Sequence, residues 1–168
     1  DFCFTSDNEE LPAAVGRLLR DSGRTLACAE SLTGGSVSAR ITDVSGASDY
    51  FVGAVVTYTA DAKESVLGVP ADVLREHGIV SEACALAMAQ GARRLFGTDI
   101  AVSLTGAAGP TEHGGAKPGF VWVAIDGPDA SYARGFKAPG SREQVRRWAE
   151  QAALDLVRRH LEGKPLPA

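Results

Sequence analysis

The sequence predicts an α/β fold, a three-layer α/β/α sandwich whose central sheet is mixed and mostly parallel. Helical and strand-like segments alternate along the chain, and several of the strand-like segments are apolar throughout. Strands that are apolar at every position are typical of sheets covered by helices on both faces. Near the C-terminus, two strand-like segments at 120–125 and 131–137 are joined by a short turn and predict an antiparallel pair.

Each predicted element rests on its own residue pattern. Apolar side chains at helical spacing predict helices at 9–22, 36–42, 60–67, 71–77, 81–96 and 141–161. Short runs of apolar, β-branched or aromatic residues predict strands at 25–29, 51–59, 99–105, 120–125 and 131–137. Gly23, Gly68 and Gly78 directly follow three of the helices, as is usual at helix C-termini. Ser81 is the predicted N-terminal cap of the fifth helix.

Composition and charge narrow the class of protein. The chain has 168 residues, of which 45% are hydrophobic and 23% charged, and this mix predicts one globular domain over 1–168 with its core at about 10–162. A net charge of −4 argues against general nucleic-acid binding, which usually shows a basic excess. The apolar runs are far shorter than the roughly 20 residues that span a bilayer, so we expect no membrane partner.

The cysteines and histidines predict neither a disulfide framework nor a metal site. Cys3, Cys28 and Cys84 are odd in number and contain no C-x-x-C pair, and the three histidines form no H-x-x-x-H pair. We therefore expect no metal, no cofactor and free thiols in a reducing cytoplasm. Residues 1–4 lack the basic start and apolar core of a signal peptide.

Three polar or glycine-rich turns follow apolar strands, where ligands of α/β proteins collect. The first contains Ser31 and leads through Thr33, Gly34 and Gly35 into a helix. A helix N-terminus offers unpaired N–H groups that suit an anion or an oxyanion, so Ser31 is a candidate nucleophile. A plain serine cap on a tight turn is the alternative. Neither a G-x-S-x-G elbow nor an S-x-x-K signature is present.

A nucleophilic serine needs a base. The second turn, 58–63, contains Lys63. Lys63 is a better candidate for the base than His77 or His113, because no motif places either histidine near Ser31. A lysine acts as a base only where burial lowers its pKa, and a solvated helix lysine is the alternative reading. Tyr58 is a candidate to hydrogen-bond the pair and carry a proton between them.

The third turn opens a glycine-rich segment, 106–119, that is either a phosphate cradle or a surface loop. It matches neither the Walker A pattern nor G-x-G-x-x-G. Arg142 and Arg146 lie one helical turn apart at the start of the last helix. Guanidinium groups suit phosphate, although exposed helix arginines are the alternative.

The turns and their surroundings together resemble a known family. Five segments occur in one order, AESLTGG at 29–35, VTYTADAK at 56–63, LGVP at 67–70, HGIVS at 77–81 and TGAAGP at 105–110. In this order they resemble the CinA C-terminal domain family, the nicotinamide mononucleotide amidases (deamidases). The resemblance extends from about residue 10 to residue 162.

The resemblance implies a metal-independent serine amidase of pyridine-nucleotide recycling. It would hydrolyse the carboxamide of nicotinamide mononucleotide to nicotinate mononucleotide and ammonia. Ser31 would be the nucleophile and Lys63 its general base, and Tyr58 would assist the pair. Thr33, Gly34 and Gly35 match the family's turn, and we infer that their N–H groups help to hold the oxyanion.

The resemblance also implies which residues bind the mononucleotide. Thr105, Gly106 and Gly109 would line the nucleotide pocket. Arg142 and Arg146 match basic positions of the family at the last helix, and we assign them to the phosphate.

The chain departs from the family pattern in the glycine-rich segment. The stretch from Pro118 to Phe120 is one residue shorter than the family's, and Phe120 stands where the family usually has Thr. The departure lies at the expected pocket edge and bears on substrate preference. In many relatives the domain follows a larger N-terminal domain, of which this chain shows no trace; the chain is either a stand-alone form or a shortened one.

Two other functions remain open from the sequence. A catalytically silent mononucleotide-binding module would share the glycine-rich turns and arginines without using Ser31. A DNA-associated factor is disfavoured by the acidic charge balance. We expect a small-molecule mononucleotide as the partner and a homodimer as the assembly, because two-fold assemblies are the commonest.

Overall fold

The computed structural model describes residues 9–164. Within this range the helices are α1 (Leu11–Ser22), α2 (Ser36–Thr42), α3 (Ala60–Leu67), α4 (Ala71–His77), α5 (Glu82–Phe96) and α6 (Arg142–Leu161). The strands are β1 (Leu26–Glu30), β2 (Phe51–Val56), β3 (Ile100–Gly106), β4 (Phe120–Asp126) and β5 (Ser131–Lys137). A short 3₁₀ turn, Ala47–Asp49, precedes β2. The predictions for Cys3 and for residues 1–4 lie outside the described residues.

The five strands form a mixed sheet in the order β2-β1-β3-β4-β5. β1 pairs in parallel with β2 and β3, whereas β4 pairs antiparallel with β3 and β5. All strands except β4 therefore point the same way. The predicted α/β fold with a mixed, mostly parallel sheet is confirmed.

Helices cover both faces of this sheet. Successive side chains of a strand point to opposite faces, and β1 shows this alternation. Leu26 and Cys28 pack with α1, α2 and α6, whereas Ala27 and Ala29 pack with α3, α4 and α5. Every residue of β1 and β3 is buried, which explains why these strands read as apolar throughout. The helices and the sheet form the three predicted layers.

Side-chain caps set several of the helix starts. Ser81 Oγ accepts a hydrogen bond of 3.1 Å from the N–H of Cys84, so the predicted cap of α5 is confirmed. Thr59 caps α3 in the same way through the N–H of Ala62. Thr59 therefore belongs to the start of α3, and β2 ends at Val56. The predicted extension of this strand to residue 59 is wrong.

The longest helix, α6, has 20 residues, but charged side chains lie all along it. None of the helices in residues 9–164 combines the length and the apolar character needed to cross a membrane.

Candidate active site

Three strands end at one edge of the sheet, and the polar turns that follow them meet there. Because β1, β2 and β3 are parallel, their carboxyl ends lie side by side. A cavity of about 150 Å³ opens at this edge. Its walls are formed by Ser31, Leu32, Tyr58, Gly106, Ala108, Gly109, Thr111, Glu112, His113 and Arg142.

The fold brings Ser31 and Lys63 into contact although 32 positions separate them in the sequence. Lys63 Nζ lies 3.1 Å from Ser31 Oγ. The same amine donates a hydrogen bond of 2.6 Å to the carbonyl oxygen of Thr57. Ser31 is 6% exposed and Lys63 is 1% exposed. Lys63 is therefore not a solvated helix lysine.

Burial favours the neutral, proton-accepting form of the Lys63 amine more than in an ordinary lysine. Removal from water disfavours the ammonium form and lowers the pKa of Lys63. Cys84 exerts a smaller, opposite effect on the pKa of this amine. Burial, however, raises the pKa of Cys84 to about 11. The thiol is uncharged near neutral pH, so the effect of burial on Lys63 persists and favours the neutral amine.

Glu30 holds the turn that carries Ser31. Its buried carboxylate accepts hydrogen bonds of 2.9, 3.2 and 2.9 Å from the N–H groups of Gly35, Val37 and Ser38. The hydroxyl of Ser38 donates to the same carboxylate. Glu30 thus satisfies N-terminal donors of α2 and thereby fixes the turn.

Two of the N–H groups that the sequence analysis assigns to an oxyanion already have partners. Gly34 N–H donates to the carbonyl of Ser31 at 3.0 Å, and Gly35 N–H donates to Glu30. The φ angles of these glycines, 63° and 98°, lie in the left-handed region, so both residues shape the turn. Of the three groups, the N–H of Thr33 is the one without an acceptor among residues 9–164.

Arg146 supports the same turn from α6. Its Nε donates to the carbonyl of Leu32 at 3.0 Å, and its Nη2 donates to the carbonyl of Thr33 at 2.8 Å. A planar guanidinium holds two acceptors in a fixed relation, which a lysine cannot reproduce. Arg146 thus contacts the main chain beside the nucleophile, and its contact with a substrate phosphate stays a prediction.

Tyr58 and Arg142 meet at the mouth of the cavity. Arg142 Nη2 donates to the Tyr58 hydroxyl at 2.8 Å, and Nη1 donates to the carbonyl of Gly109 at 3.0 Å. These bonds join α6 to the segment after β2 and to the glycine-rich segment. Tyr58 is 51% exposed, and its hydroxyl is bound to Arg142 in this structure. Its assistance to Ser31 and Lys63 stays a prediction.

Thr105 and Gly106 have different roles at the end of β3. The Thr105 hydroxyl donates to the carbonyl of Ile79 at 2.6 Å and ties β3 to the segment before α5. Gly106 lines the cavity, and a Cβ at this position would lie 2.8 Å from the Phe120 carbonyl oxygen. Gly109 also lines the cavity, whereas the side chain of Thr105 is used within the fold.

A small hairpin shapes the glycine-rich segment. His113 and Ala116 exchange backbone hydrogen bonds of 3.1 and 3.0 Å. Between them, Gly114 and Gly115 have φ angles of 56° and 77°. Two successive positive φ angles are typical of tight hairpin turns. The hairpin places Glu112 and His113 on the cavity wall, where the sequence analysis did not expect them.

Sequence reasoning also missed Thr57. Its carbonyl holds Lys63, and such a backbone contact has no side-chain signature in the sequence. Its position at the end of the second strand was the available signal. The buried hydroxyls of Thr33 and Thr57 have no hydrogen-bond partner in the described part of the chain. Partnerless buried polar groups are rare in folded proteins.

Residues 9–164 contain no group of three or more His, Cys, Asp or Glu side chains arranged to hold a metal ion. The two cysteines in this range, Cys28 and Cys84, are free and buried.

Comparison with known proteins places this chain in a family. The family model described as the CinA C-terminal domain matches residues 8–161. A CinA-like protein of Geotalea daltonii is 45% identical over 163 residues, which cover 96% of this chain and 40% of that protein. The chain thus spans about 40% of the length of such curated relatives.

Solved structures agree with this assignment. The competence-damaged protein (CinA) superfamily protein of Klebsiella pneumoniae 700603 is 33% identical, with a TM-score of 0.88 over 91% of this chain and 96% of that one. The competence/damage inducible protein of Agrobacterium tumefaciens is 30% identical, with a TM-score of 0.80 over 94% of this chain and 99% of that one. The chain belongs to the CinA C-terminal domain family.

Proposed function

We propose that this protein is a serine amidase that hydrolyses the carboxamide of nicotinamide mononucleotide to nicotinate mononucleotide and ammonia, with no metal in the mechanism. The contact of 3.1 Å between Ser31 Oγ and Lys63 Nζ carries the proposal. A buried amine with a lowered pKa next to a serine hydroxyl is the arrangement that nucleophilic catalysis needs. The family membership supports the choice of substrate.

In the first step, neutral Lys63 takes the proton of Ser31, and Oγ forms a bond to the carboxamide carbon. The carbonyl π electrons move to oxygen and give a tetrahedral oxyanion. When this intermediate collapses, the C–N bond breaks, and the nitrogen leaves as ammonia with the proton that Lys63 held. The carbonyl of Thr57 keeps Nζ in place through both transfers.

The turn supplies the donors for the oxyanion. Because Gly34 and Gly35 use their N–H groups within the turn, we assign the oxyanion to the N–H of Thr33, which has no acceptor in residues 9–164. A preorganised donor of this kind contributes roughly 3 kcal/mol to stabilisation of the transition state. Arg146 contributes indirectly, since it fixes the carbonyls of Leu32 and Thr33.

In the second step, a water molecule attacks the acyl group on Ser31, and Lys63 removes the proton of that water. The ester bond then breaks, nicotinate mononucleotide leaves, and Lys63 returns the proton to Ser31 Oγ. Tyr58 stands at the cavity mouth, where it assists proton transfer once its bond to Arg142 opens.

An ammonia-release assay tests the proposal. Nicotinamide mononucleotide, nicotinamide and acetamide are compared side by side with the wild-type protein, and we expect release from the mononucleotide. Ser31→Ala should abolish the release while circular dichroism and melting temperature stay unchanged. Ser65→Ala is the matched control, because Ser65 is an exposed serine on α3.

Two outcomes would count against the proposal. Near-normal turnover by Ser31→Ala would exclude the covalent route. Calorimetric binding of the mononucleotide without ammonia, even at high protein concentration, would instead identify a catalytically silent binding module.

A further inference from the structure

The two edges of the sheet differ in their protection against pairing with a further strand. Within residues 9–164, β2 and β5 are the edge strands, and each pairs with one neighbour. β5 carries Arg134 and Lys137, and charged side chains on an edge strand hinder its pairing with another chain. β2 has the sequence FVGAVV, which contains neither a charged residue nor a proline. The edge formed by β2 therefore lacks these obstacles to pairing.

Exposed apolar side chains are concentrated at this edge. Among the large hydrophobic residues that are exposed within 9–164, Val52, Val56 and Tyr58 lie on β2 or just beyond it. Val52 is 52% exposed and Val56 is 48% exposed. The others, Val66 and Leu95, lie on α3 and α5, the helices that pack against one face of β2. Single exposed apolar side chains are normal, but a cluster of them is typical of an interaction surface.

The main chain of β2 presents donors and acceptors on its open side. The N–H of Thr57, the residue after β2, donates to the carbonyl of Glu30 on β1 at 2.9 Å. Main-chain direction alternates along a strand, so the N–H and C=O groups of Val56 and Ala54 point away from β1. The register with β1 is irregular at the start of β2 and regular from residue 53 to residue 56. An extended second strand would satisfy these outward groups.

The strand of a second copy of this chain fits the edge. Antiparallel pairing about a two-fold axis at Ala54 sets Ala54 against its own copy and Val52 against Val56 of the second copy. In this register the outward groups of Ala54 exchange both of their hydrogen bonds, and opposite residues lie on the same face of the sheet. Because β2 has no charged residue, no like charges oppose each other along the paired strands. The edge is therefore complementary to itself, as a two-fold interface requires.

We infer that the β2 edge is the surface through which two copies of this chain associate, as an antiparallel β2–β2 pair that joins the two five-stranded sheets into one continuous sheet. The homodimer expected from the sequence thereby acquires a defined interface, formed by the main chain of β2 and the side chains of Val52 and Val56. The inference does not depend on the proposed reaction, and its test requires no catalytic activity.

Sedimentation velocity over a dilution series tests the association. The wild type should sediment at twice the mass of the chain at high concentration. Val56→Lys sets an ammonium group against Val52 of the second copy, and Val52→Lys does the reverse, so each should raise the dissociation constant of the dimer roughly tenfold or more. Both valines are half-exposed in the single chain, so the variants should retain the circular dichroism of the wild type. The control is Ala130→Lys, which adds the same charge at an exposed position between β4 and β5 and should leave the dimer unchanged.

Hydrogen exchange of the backbone N–H groups locates the surface. The N–H groups of Ala54 and Val56 should be protected in the wild-type dimer and lose that protection on dilution and in Val56→Lys. If Val56→Lys does not fold, Val52→Lys and the exchange of the wild type decide the question. A wild type that stays monomeric at every concentration, or that forms open-ended aggregates, refutes the inference. A dimer that leaves residues 54–56 unprotected, or that both lysine variants leave intact, uses another surface and refutes it as well.

Discussion

Glu30→Gln tests how the nucleophile turn is held. The Glu30 carboxylate accepts four donors, three backbone N–H groups and the Ser38 hydroxyl. Glutamine has the same shape but keeps one acceptor oxygen, and its NH₂ group faces two of the donors. Two hydrogen bonds to a charged acceptor are lost, and each contributes about 1.5–3 kcal/mol.

The expected loss in the free energy of unfolding is therefore about 3–6 kcal/mol. From a stability of about 10 kcal/mol, the middle of the usual range for domains, this loss leaves most of the protein folded in the absence of denaturant. Urea unfolding at constant m-value measures this loss, and ammonia release measures whether Ser31 has moved. Because Gly35 is one of the donors, we expect a fall in kcat together with the fall in stability.

The matched control is Glu76→Gln. Glu76 is exposed on α4 and pairs only with the exposed Arg75 within residues 9–164, so its replacement should change stability by less than about 0.5 kcal/mol. If Glu30→Gln lowers the free energy of unfolding by less than about 1 kcal/mol, the Glu30 carboxylate is not what fixes the turn.

Further predictions concern the base, the arginine clamp and the packing of α3. Since burial lowers the pKa of Lys63, kcat/KM should rise with pH and level off at an inflection below the ordinary lysine value; an inflection at or above about 10.4 contradicts a desolvated base. The unfolded chain holds a proton on Lys63 that the folded chain has lost between the lowered pKa and about 10.4. The stability of the wild type relative to Lys63→Met should therefore increase with pH across that window, by up to about 1.4 kcal/mol per pH unit, and a flat difference in urea titrations would refute it. Arg146→Lys should lower kcat roughly tenfold or more with KM little changed, because a single ammonium group lacks the planar pair of donors that holds both carbonyls in a fixed relation; a change in KM alone would indicate a substrate contact instead. A Cβ at position 91 would lie 2.2 Å from the Leu67 carbonyl oxygen, so Gly91→Ala should destabilise the protein by about 1–3 kcal/mol in thermal unfolding, and an unchanged melting temperature would contradict the tight contact between α3 and α5.

Most of the fold could be predicted from the sequence, because the local residue patterns agree with the tertiary structure. α3 and α4 have the predicted bounds, 60–67 and 71–77, since glycines and prolines separate short helices clearly. The one clear error, the end of β2, arose because Thr57 and Thr59 favour strands by type. In the structure, Thr59 caps the next helix instead.

The site was less accessible to sequence reasoning. Ser31 and Lys63 stood out as candidates, but only the pairing of β1 with β2 brings them to 3.1 Å. The second partner of the amine, the carbonyl of Thr57, is a backbone atom that every residue type possesses. Likewise, the donors of Gly34 and Gly35 looked free in the sequence, and their partners emerge only when the turn closes.

The central claim is that Ser31 and Lys63 act as one unit, and a double-mutant cycle on kcat for ammonia release tests it most directly. Ser31→Ala and Lys63→Met should each reduce kcat by about 10³-fold or more, and the double variant should be no slower than the slower single variant. Losses that multiply in the double variant, or near-wild-type turnover by either single variant, would contradict the account.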